Sequence, residues 1–234
     1  MNIAKSQVHR FGRWYIQRVC RQEYETQQYR CTNERPVEYR FVFEQLTHTS
    51  PVRVLDVGTG TTALPHLMRN CGFLVTAIDN IRDYWPQGMV NRHYHVIQDD
   101  ITAPTLNQTF DFITCISVLE HIKNHQQAMQ SMFHLLNPGG HLLLTFPYSE
   151  NTYVPNAYEL PDAGYGKDEP YVCQVYSRRE LSQWIEAARA KIVTQEYWQF
   201  FTGEFWTVGK RLSPPQRVDR DHLHQWTGLL LQKQ

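Results

Sequence analysis

The chain has 234 residues, with 23 Lys and Arg against 23 Asp and Glu, and 41% of its residues are hydrophobic. That length suits one domain with embellishments and a full core, and the balanced charge argues against strong nonspecific binding of nucleic acid or an anionic membrane. There is no apolar run of membrane-spanning length and no secretory signal, and the five cysteines form no C-x-x-C pair, so the sequence reads as a reduced, cytoplasmic protein.

Residues 1–50 read as an N-terminal helical cap. Phe11, Trp14, Tyr15, Arg18 and Val19 fit one helical face. Arg10, Arg13, Arg18 and Arg21 make this stretch basic, which a solvated helix face explains more simply than an anion site. A second helix is expected over 33–47, with Pro36 near its start and Tyr39, Val42, Phe43 and Leu46 as its buried stripe. The region 51–147 then alternates. Strands are expected near 52–57, 73–79, 94–99, 110–116 and 141–147, and helices near 62–71 and 125–136. That alternation predicts an α/β fold with a parallel, doubly wound sheet. Asn137-Pro138-Gly139-Gly140 reads as the turn from helix to strand.

Residues 148–176 are the least regular stretch of the core, with Tyr148, Tyr153, Tyr158, Tyr165, Tyr171 and Tyr176. A long segment after the C-terminal edge of a central strand is expected to be functional, and it reads as a substrate lid, with Tyr148, Tyr153 and Tyr176 as candidate acceptor contacts. The bland alternative is a surface insertion. In the C-terminal half, 177–234, Ser177-x-x-Glu180 is a capping box that opens a helix with Leu181, Trp184, Ile185 and Ala188 on one face. A strand follows over 192–198, the stretch 200–221 is irregular, and the last strand spans 227–233.

The chemistry concentrates in Val54-Leu55-Asp56-Val57-Gly58-Thr59-Gly60, an apolar strand running into a glycine turn, followed by a helical pattern with Pro65 in its first turn. Glycines there let backbone N–H groups approach a ligand, and a helix N-terminus adds partial positive charge. Gly58-x-Gly60-x-x-Ala63 also fits a dinucleotide fingerprint, with Asp79 where a ribose-binding acid belongs. Asp56 breaks the tie. A carboxylate two residues before Gly58 can orient the turn and meet a ligand ammonium, and it would repel a pyrophosphate. S-adenosylmethionine, with a ribose and an amino-acid end but no phosphate, suits that turn.

Further residues make the resemblance specific. VLDVGTGT at 54–61, AID at 77–79, QDDI at 98–101, FDFITCISVLEHI at 110–122 and LNPGGHLLLTFP at 136–147 occur in order and spacing. Over roughly residues 36–147 the chain resembles class I S-adenosylmethionine-dependent methyltransferases of the small-molecule type, departing from many of them at Thr62, where they have a third glycine. The resemblance implies a Rossmann-like sheet, mostly parallel with an antiparallel last strand. It implies helices before the sheet that cover the cofactor. It further implies that Asp79 holds the ribose diol, Asp100 the adenine amino group and Ile101 the adenine face. Ser117 then lies beside the methionine moiety, with Gly58 and Gly60 giving close backbone approach.

Methyl transfer from a sulfonium asks the protein mainly for alignment, and a base helps when the acceptor is a hydroxyl. His121 is the base candidate, since imidazole takes a proton near neutral pH; a packing or capping histidine is the even alternative. Some relatives bind a divalent ion through E-x-x-E-H, but Ser117 stands where the first glutamate would be, and Glu120 with His121 is too small a ligand set. His93-x-His95 and His222-x-His224 are weak zinc candidates, so no metal is expected. The reading is an enzyme acting on a small-molecule acceptor, at oxygen in preference to nitrogen because no N-P-P-Y motif is present. A protein or RNA methyltransferase and a non-catalytic cofactor-binding scaffold are the alternatives; nucleic acid suits the balanced charge poorly.

Overall fold

The computed structural model describes residues 3–28, 32–80 and 90–234. Two compact units divide the chain, Met1–Asn33 and Glu34–Gln234. The first is built on α1 (Ile3–Glu25). Within it Phe11 and Trp14 lie with ring centroids 5.7 Å apart, the Arg18 guanidinium sits 5.8 Å over Trp14, and Phe11, Trp14 and Tyr15 are exposed.

The second unit begins with α2 (Arg35–Thr49), where Pro36 occupies the first turn, a position that leaves no backbone donor unpaired. Its buried side chains are Val37, Glu38, Phe41, Val42, Gln45 and Leu46. The inward face is thus rotated from the expected one: Tyr39 and Phe43 are half-buried at its margin, and two polar residues point inward. An apolar count cannot find a stripe that contains Glu38 and Gln45.

Eight strands form one sheet in the order β3-β2-β1-β4-β5-β8-β6-β7. β1 (Arg53–Val57), β2 (Leu74–Asp79), β3 (Ile97–Gln98), β4 (Phe110–Ile116) and β5 (Leu136–Pro147) are parallel. β8 (Trp226–Lys233) inserts antiparallel between β5 and β6 (Ala190–Phe201). The mostly parallel, Rossmann-like sheet with an antiparallel last strand is therefore as the sequence implied. The central strands are buried on both faces, as continuous apolar runs such as Phe112-Ile113 and Leu142-Leu143-Leu144 require. α3 (Leu64–Asn70), α4 (His125–Leu135) and α5 (Arg178–Ala188) complete the layers. Ser177 and Glu180 form the expected capping box at the start of α5.

β7 (Arg211–Val218) was hidden in the sequence. It carries Pro214 and Pro215, which argue against a strand, yet it pairs antiparallel with β6 at the end of the sheet order, with both prolines in the stretch between Arg211 and Gln216 where the register breaks. β3 shrinks to two residues. Asn137-Pro138-Gly139-Gly140 is absorbed into β5 as an irregularity opposite Phe110–Phe112.

Segment 148–176 is more packed than an open loop. Bridges Tyr148–Tyr176 and Val154–Val175 close its ends together. Val154, Ala157, Tyr158, Cys173 and Val175 join Phe200, Phe201, Trp206 and Trp226 in a core of their own. Its exposed part is confined mainly to residues 159–170. No helix among the described residues is long and apolar enough to cross a membrane.

Candidate functional site

A cavity of about 490 Å³ opens at the C-terminal ends of β1, β2 and β4, where the strand order reverses between β1 and β4. Its wall includes Gly58, Gly60, Asp79, Asn80, Asp99, Asp100 and Ile101, together with Arg35, Ser117, Val118, His121, Ile122, Lys123 and Tyr171.

The glycine turn is tied back to β2. Gly58 has φ +73°, and a Cβ there would come within 2.4 Å of the Val118 methyls. Gly60 has φ +56°. Both conformations are open to glycine and costly for other residues. The Gly58 and Thr59 N–H groups donate to Ile78 O at 2.9 and 3.3 Å, and Gly60 N–H donates to Asp79 Oδ2 at 2.6 Å. Asn91, which carries no motif signal in the sequence, clamps the far side by donating to Gly60 O and Thr62 O, both at 2.9 Å. The expectation that these N–H groups face a ligand is therefore corrected: all three bond to β2. A turn that offers none of them to a pyrophosphate, beside three cavity-lining carboxylates, is a poor dinucleotide cradle.

Asp56 sits behind the turn and does not line the cavity. It is 2% exposed and accepts from Thr59 Oγ1 and Thr114 Oγ1, each at 2.7 Å. Burial pushes its carboxyl up to about 6, against the pull of those two hydroxyls. Of the two roles expected for it, the geometry gives it the orienting of the turn, since its oxygens face inward to threonines and not to the cavity.

Asp79 lines the cavity with one oxygen on Gly60, and burial raises its carboxyl. Asp99 and Asp100 divide their work. Asp99 is buried and closes its own loop, accepting from the N–H groups of Asp100 and Thr105 at 3.0 to 3.1 Å. Asp100 accepts from Thr102 N–H and Oγ1 and, at 3.4 Å, from Asn80 Nδ2. Ile101 and Ile122 add apolar surface to the wall and pack with Val118 at the edge of the main core.

Ser117 ends β4 with φ +49°, an uncommon conformation for a residue with a Cβ. Its N–H donates to Thr145 O and Oγ1, and its Oγ donates to Glu38 Oε1 at 2.5 Å. Glu38 is fully buried, also accepts from Thr145 Oγ1 at 3.0 Å, and pairs with Arg35 Nη1 at 2.7 Å. Burial raises the Glu38 carboxyl, with Arg35 opposing. Sequence reasoning misses Arg35 and Glu38 because their i,i+3 spacing reads as an ordinary surface pair at a helix start.

His121 rides on a short 3-10 turn, Leu119–His121. Its Nδ1 lies 2.7 Å from Val172 O. A carbonyl only accepts, so Nδ1 carries the proton and Nε2 the lone pair of the neutral ring. Burial lowers its pKa, which keeps it neutral at physiological pH. Tyr171 packs edge-on against it at 4.5 Å. Beside it Glu120 is buried, burial raises its carboxyl well above the ordinary range, and its Oε2 has no hydrogen-bond partner among the described residues.

The three candidate tyrosines lie elsewhere than expected: none lines the cavity. Tyr148 and Tyr176 are fully buried. Tyr148 OH donates to Glu150 Oε2 at 2.8 Å, and Tyr176 OH donates to Leu119 O at 2.7 Å. Tyr153 OH donates to Gln174 Oε1, and Gln174 Nε2 in turn donates to Glu120 O and Ile122 O. Tyr176 and Tyr153 therefore brace the turn that carries His121, and Tyr171 is the tyrosine of this segment on the wall. Among the described residues no group of three or more His, Cys, Asp or Glu is arranged to hold a metal ion.

Among the described residues the wall offers acceptors for a diol and an amine, two isoleucine faces and two cations, Arg35 and Lys123, a chemistry that fits a nucleoside with an amino-acid end. The volume is within the roughly 300–1,000 Å³ of small-molecule sites. Comparison with known proteins agrees. Residues 26–195, more than half of the chain, match the methyltransferase domain family model. The chain belongs to that family and is an S-adenosylmethionine-dependent methyltransferase.

Among its relatives, the ubiquinone biosynthesis O-methyltransferase of Coxiella burnetii is 26% identical over 170 residues, covering 68% of this chain and 71% of that protein. Among solved structures, the Burkholderia thailandensis 1,6-didemethyltoxoflavin-N1-methyltransferase, bound to its substrate and S-adenosylhomocysteine, superposes with a TM-score of 0.53 at 16% identity. That match covers 83% of this chain and 76% of the other. The magnesium protoporphyrin IX methyltransferase of Synechocystis PCC 6803, with S-adenosylhomocysteine bound, superposes at 0.52 with 13% identity, covering 86% and 83%. These two share the fold.

Proposed function

We propose that this enzyme methylates a hydroxyl oxygen of a small-molecule acceptor, a sugar, phenol or natural-product intermediate, with His121 as the base. The observation that carries this reading is the tautomer of His121: Nδ1–H is pinned to Val172 O, and the ring is held neutral on the cavity wall. The O-methyltransferase relative from Coxiella burnetii supports oxygen as the acceptor atom.

S-adenosylmethionine supplies a methyl group already activated by its sulfonium. Asp79 accepts from the ribose diol, Asp100 accepts from the adenine amino group, and Ile101 packs on the adenine face. Gly58, Gly60 and Ser117 shape the space for the amino-acid end, and Asp56 fixes the turn from behind. With the donor bound, it would give up its methyl and leave as a neutral thioether, while His121 Nε2 would take the acceptor's hydroxyl proton and later return it to water. Residues 159–170, the exposed part of the segment beside Tyr171, form the movable portion of the lid.

A second reading is transfer to nitrogen, the chemistry named for the Burkholderia relative. A screen of phenols, sugars and amines with methyl-labelled cofactor separates the two. Label on oxygen supports the proposal. Label on nitrogen alone, with His121→Ala fully active, overturns it.

A further inference from the structure

We propose that α1 is a membrane-surface helix: its apolar face enters the headgroup layer of an anionic phospholipid bilayer, and its arginines stay at the level of the lipid phosphates. The inference concerns the first unit alone and depends neither on the cavity nor on the acceptor.

The helix has two unlike faces. At about 3.6 residues per turn, Val8, Phe11, Tyr15 and Val19 recur at spacings of three and four and share one face. Arg10, Arg13 and Arg21 fall on the opposite face. Trp14 and Arg18 lie at the border. There the Phe11 and Trp14 rings meet at 5.7 Å, and the Arg18 guanidinium covers Trp14. An indole, with an apolar body and one N–H, suits a boundary between hydrocarbon and water.

The apolar face is open to solvent. Val8 is 70% exposed, Phe11 65%, Tyr15 57% and Trp14 53%. A solvated basic face accounts for the arginines but not for this apolar row. A helix packed on a protein core would bury it. Soluble monomers rarely leave a contiguous patch of this kind in water.

Charge selects the occupant. α1 carries five Lys and Arg against two Glu, both within its last three residues, whereas the whole chain is balanced at 23 against 23. The local excess favours an anionic partner. A nucleic acid would need aromatic and basic side chains on the same surface, so that bases stack where phosphates pair. In α1 they are segregated. A coiled coil of two copies would place Leu, Ile or Val along its seam and charges of both signs beside it. α1 has no leucine, and the middle of its apolar row is aromatic. A bilayer accepts both faces at once, with rings and methyls below the headgroups and guanidinium groups above them. No helix among the described residues is apolar enough to cross, so α1 would lie along the surface.

The test is co-sedimentation of the full chain with two vesicle preparations, phosphatidylcholine alone and phosphatidylcholine with phosphatidylglycerol in equal parts. The chain should pellet with the anionic vesicles, stay in solution with the neutral ones, and be released as sodium chloride is raised. Phe11→Ser combined with Tyr15→Ser should weaken partitioning about tenfold or more, because two rings no longer leave water. Arg13→Gln combined with Arg18→Gln should weaken it about 20-fold, roughly fivefold per cation. All four side chains are exposed, so both variants should keep the wild-type melting temperature, which separates lost binding from lost folding. A wild-type chain that stays in solution with anionic vesicles overturns the proposal. So does equal binding to both preparations, or wild-type partitioning by either variant. Dimerisation that Phe11→Ser with Tyr15→Ser abolishes, seen by sedimentation equilibrium without any vesicle binding, would give the face to a second copy instead.

Discussion

The residues that line the cavity are held in two different ways. Where we propose the nucleoside sits, the turn after β1 is fastened mainly by the neighbouring strand and its loop: Gly60 reaches Asp79, 19 residues on, Asn91 reaches Gly60, and Asp99 closes a loop on Thr105. Where we propose the acceptor binds, the residues are held from farther along the chain. His121 is set by Val172, 51 residues on, Leu119 by Tyr176, and Ser117 by Glu38, 79 residues earlier. The first set is a local motif. The second is a tertiary assembly in which α2, the turn after β4 and segment 148–176 converge.

That contrast yields predictions for each set. The largest effect belongs to the proposed acceptor set. His121→Ala should lower turnover by roughly 10²–10⁴-fold, measured by label transfer to the preferred acceptor, with S-adenosylhomocysteine affinity nearly unchanged. The loss should shrink for acceptors with more acidic hydroxyls. A uniform drop in both turnover and cofactor affinity would make His121 a brace like Tyr176.

Next in size is a stability effect behind the turn after β1. The folded pKa of Asp56, about 6, lies above its ordinary value of 3.8. The fold thus prefers the neutral carboxyl. That stabilisation is complete below about pH 3.8 and is lost as pH rises through about 6. The total change is about 3 kcal/mol, because a tenfold change in proton affinity is worth roughly 1.4 kcal/mol. Urea unfolding across pH 4 to 7 should show the decline, and Asp56→Asn should flatten it relative to the wild type. Burial raises Asp79, Glu38 and Glu120 in the same direction, so the difference between the two proteins, not the wild-type slope, isolates Asp56.

Asp79→Ala should weaken S-adenosylhomocysteine by about tenfold or more, since it removes the charge-assisted bonds we propose to the ribose and frees the Gly60 N–H. Affinity at the wild-type level would place the ribose on another residue. Smaller still, Tyr176→Phe should cost about 1 to 2 kcal/mol of stability, because it removes the buried bond to Leu119 O, which keeps only the Ile122 N–H, and the hydroxyl that accepts from Gln174 Nε2. It should also lower turnover several-fold through the loosened turn while sparing cofactor binding. The mildest effect is dynamic: amides of residues 159–170 should exchange faster than those of β1 and β4, and slow when cofactor and acceptor are both present.

The same division explains what could be read from the chain. Alternating apolar runs with glycine and proline punctuation identify the parallel strands, Ser177-x-x-Glu180 marks the capping box of α5, and the family resemblance supplies the antiparallel direction of the last strand. Asp79, Asp100, Gly58 and Gly60 are legible because their spacing along the chain is their geometry. Arg35 and Glu38 are not, because nothing in a helix start says which strand end it will meet. The tyrosines of 148–176 mislead for the complementary reason. Composition marks aromatic residues as contact-makers, but only the bridges Tyr148–Tyr176 and Val154–Val175 decide that Tyr148 and Tyr176 turn inward while Tyr171 meets the cavity. β7 escapes because its prolines are tolerated only at a sheet edge, a fact about neighbours rather than sequence.

The most direct test of the central claim is a calorimetric comparison of S-adenosylhomocysteine with NAD on the wild-type chain. A turn whose N–H groups are bonded to Ile78 and Asp79, facing a carboxylate-lined cavity, predicts binding of the sulfur nucleoside and no measurable heat from NAD. Tight NAD binding with none from S-adenosylhomocysteine would contradict the account.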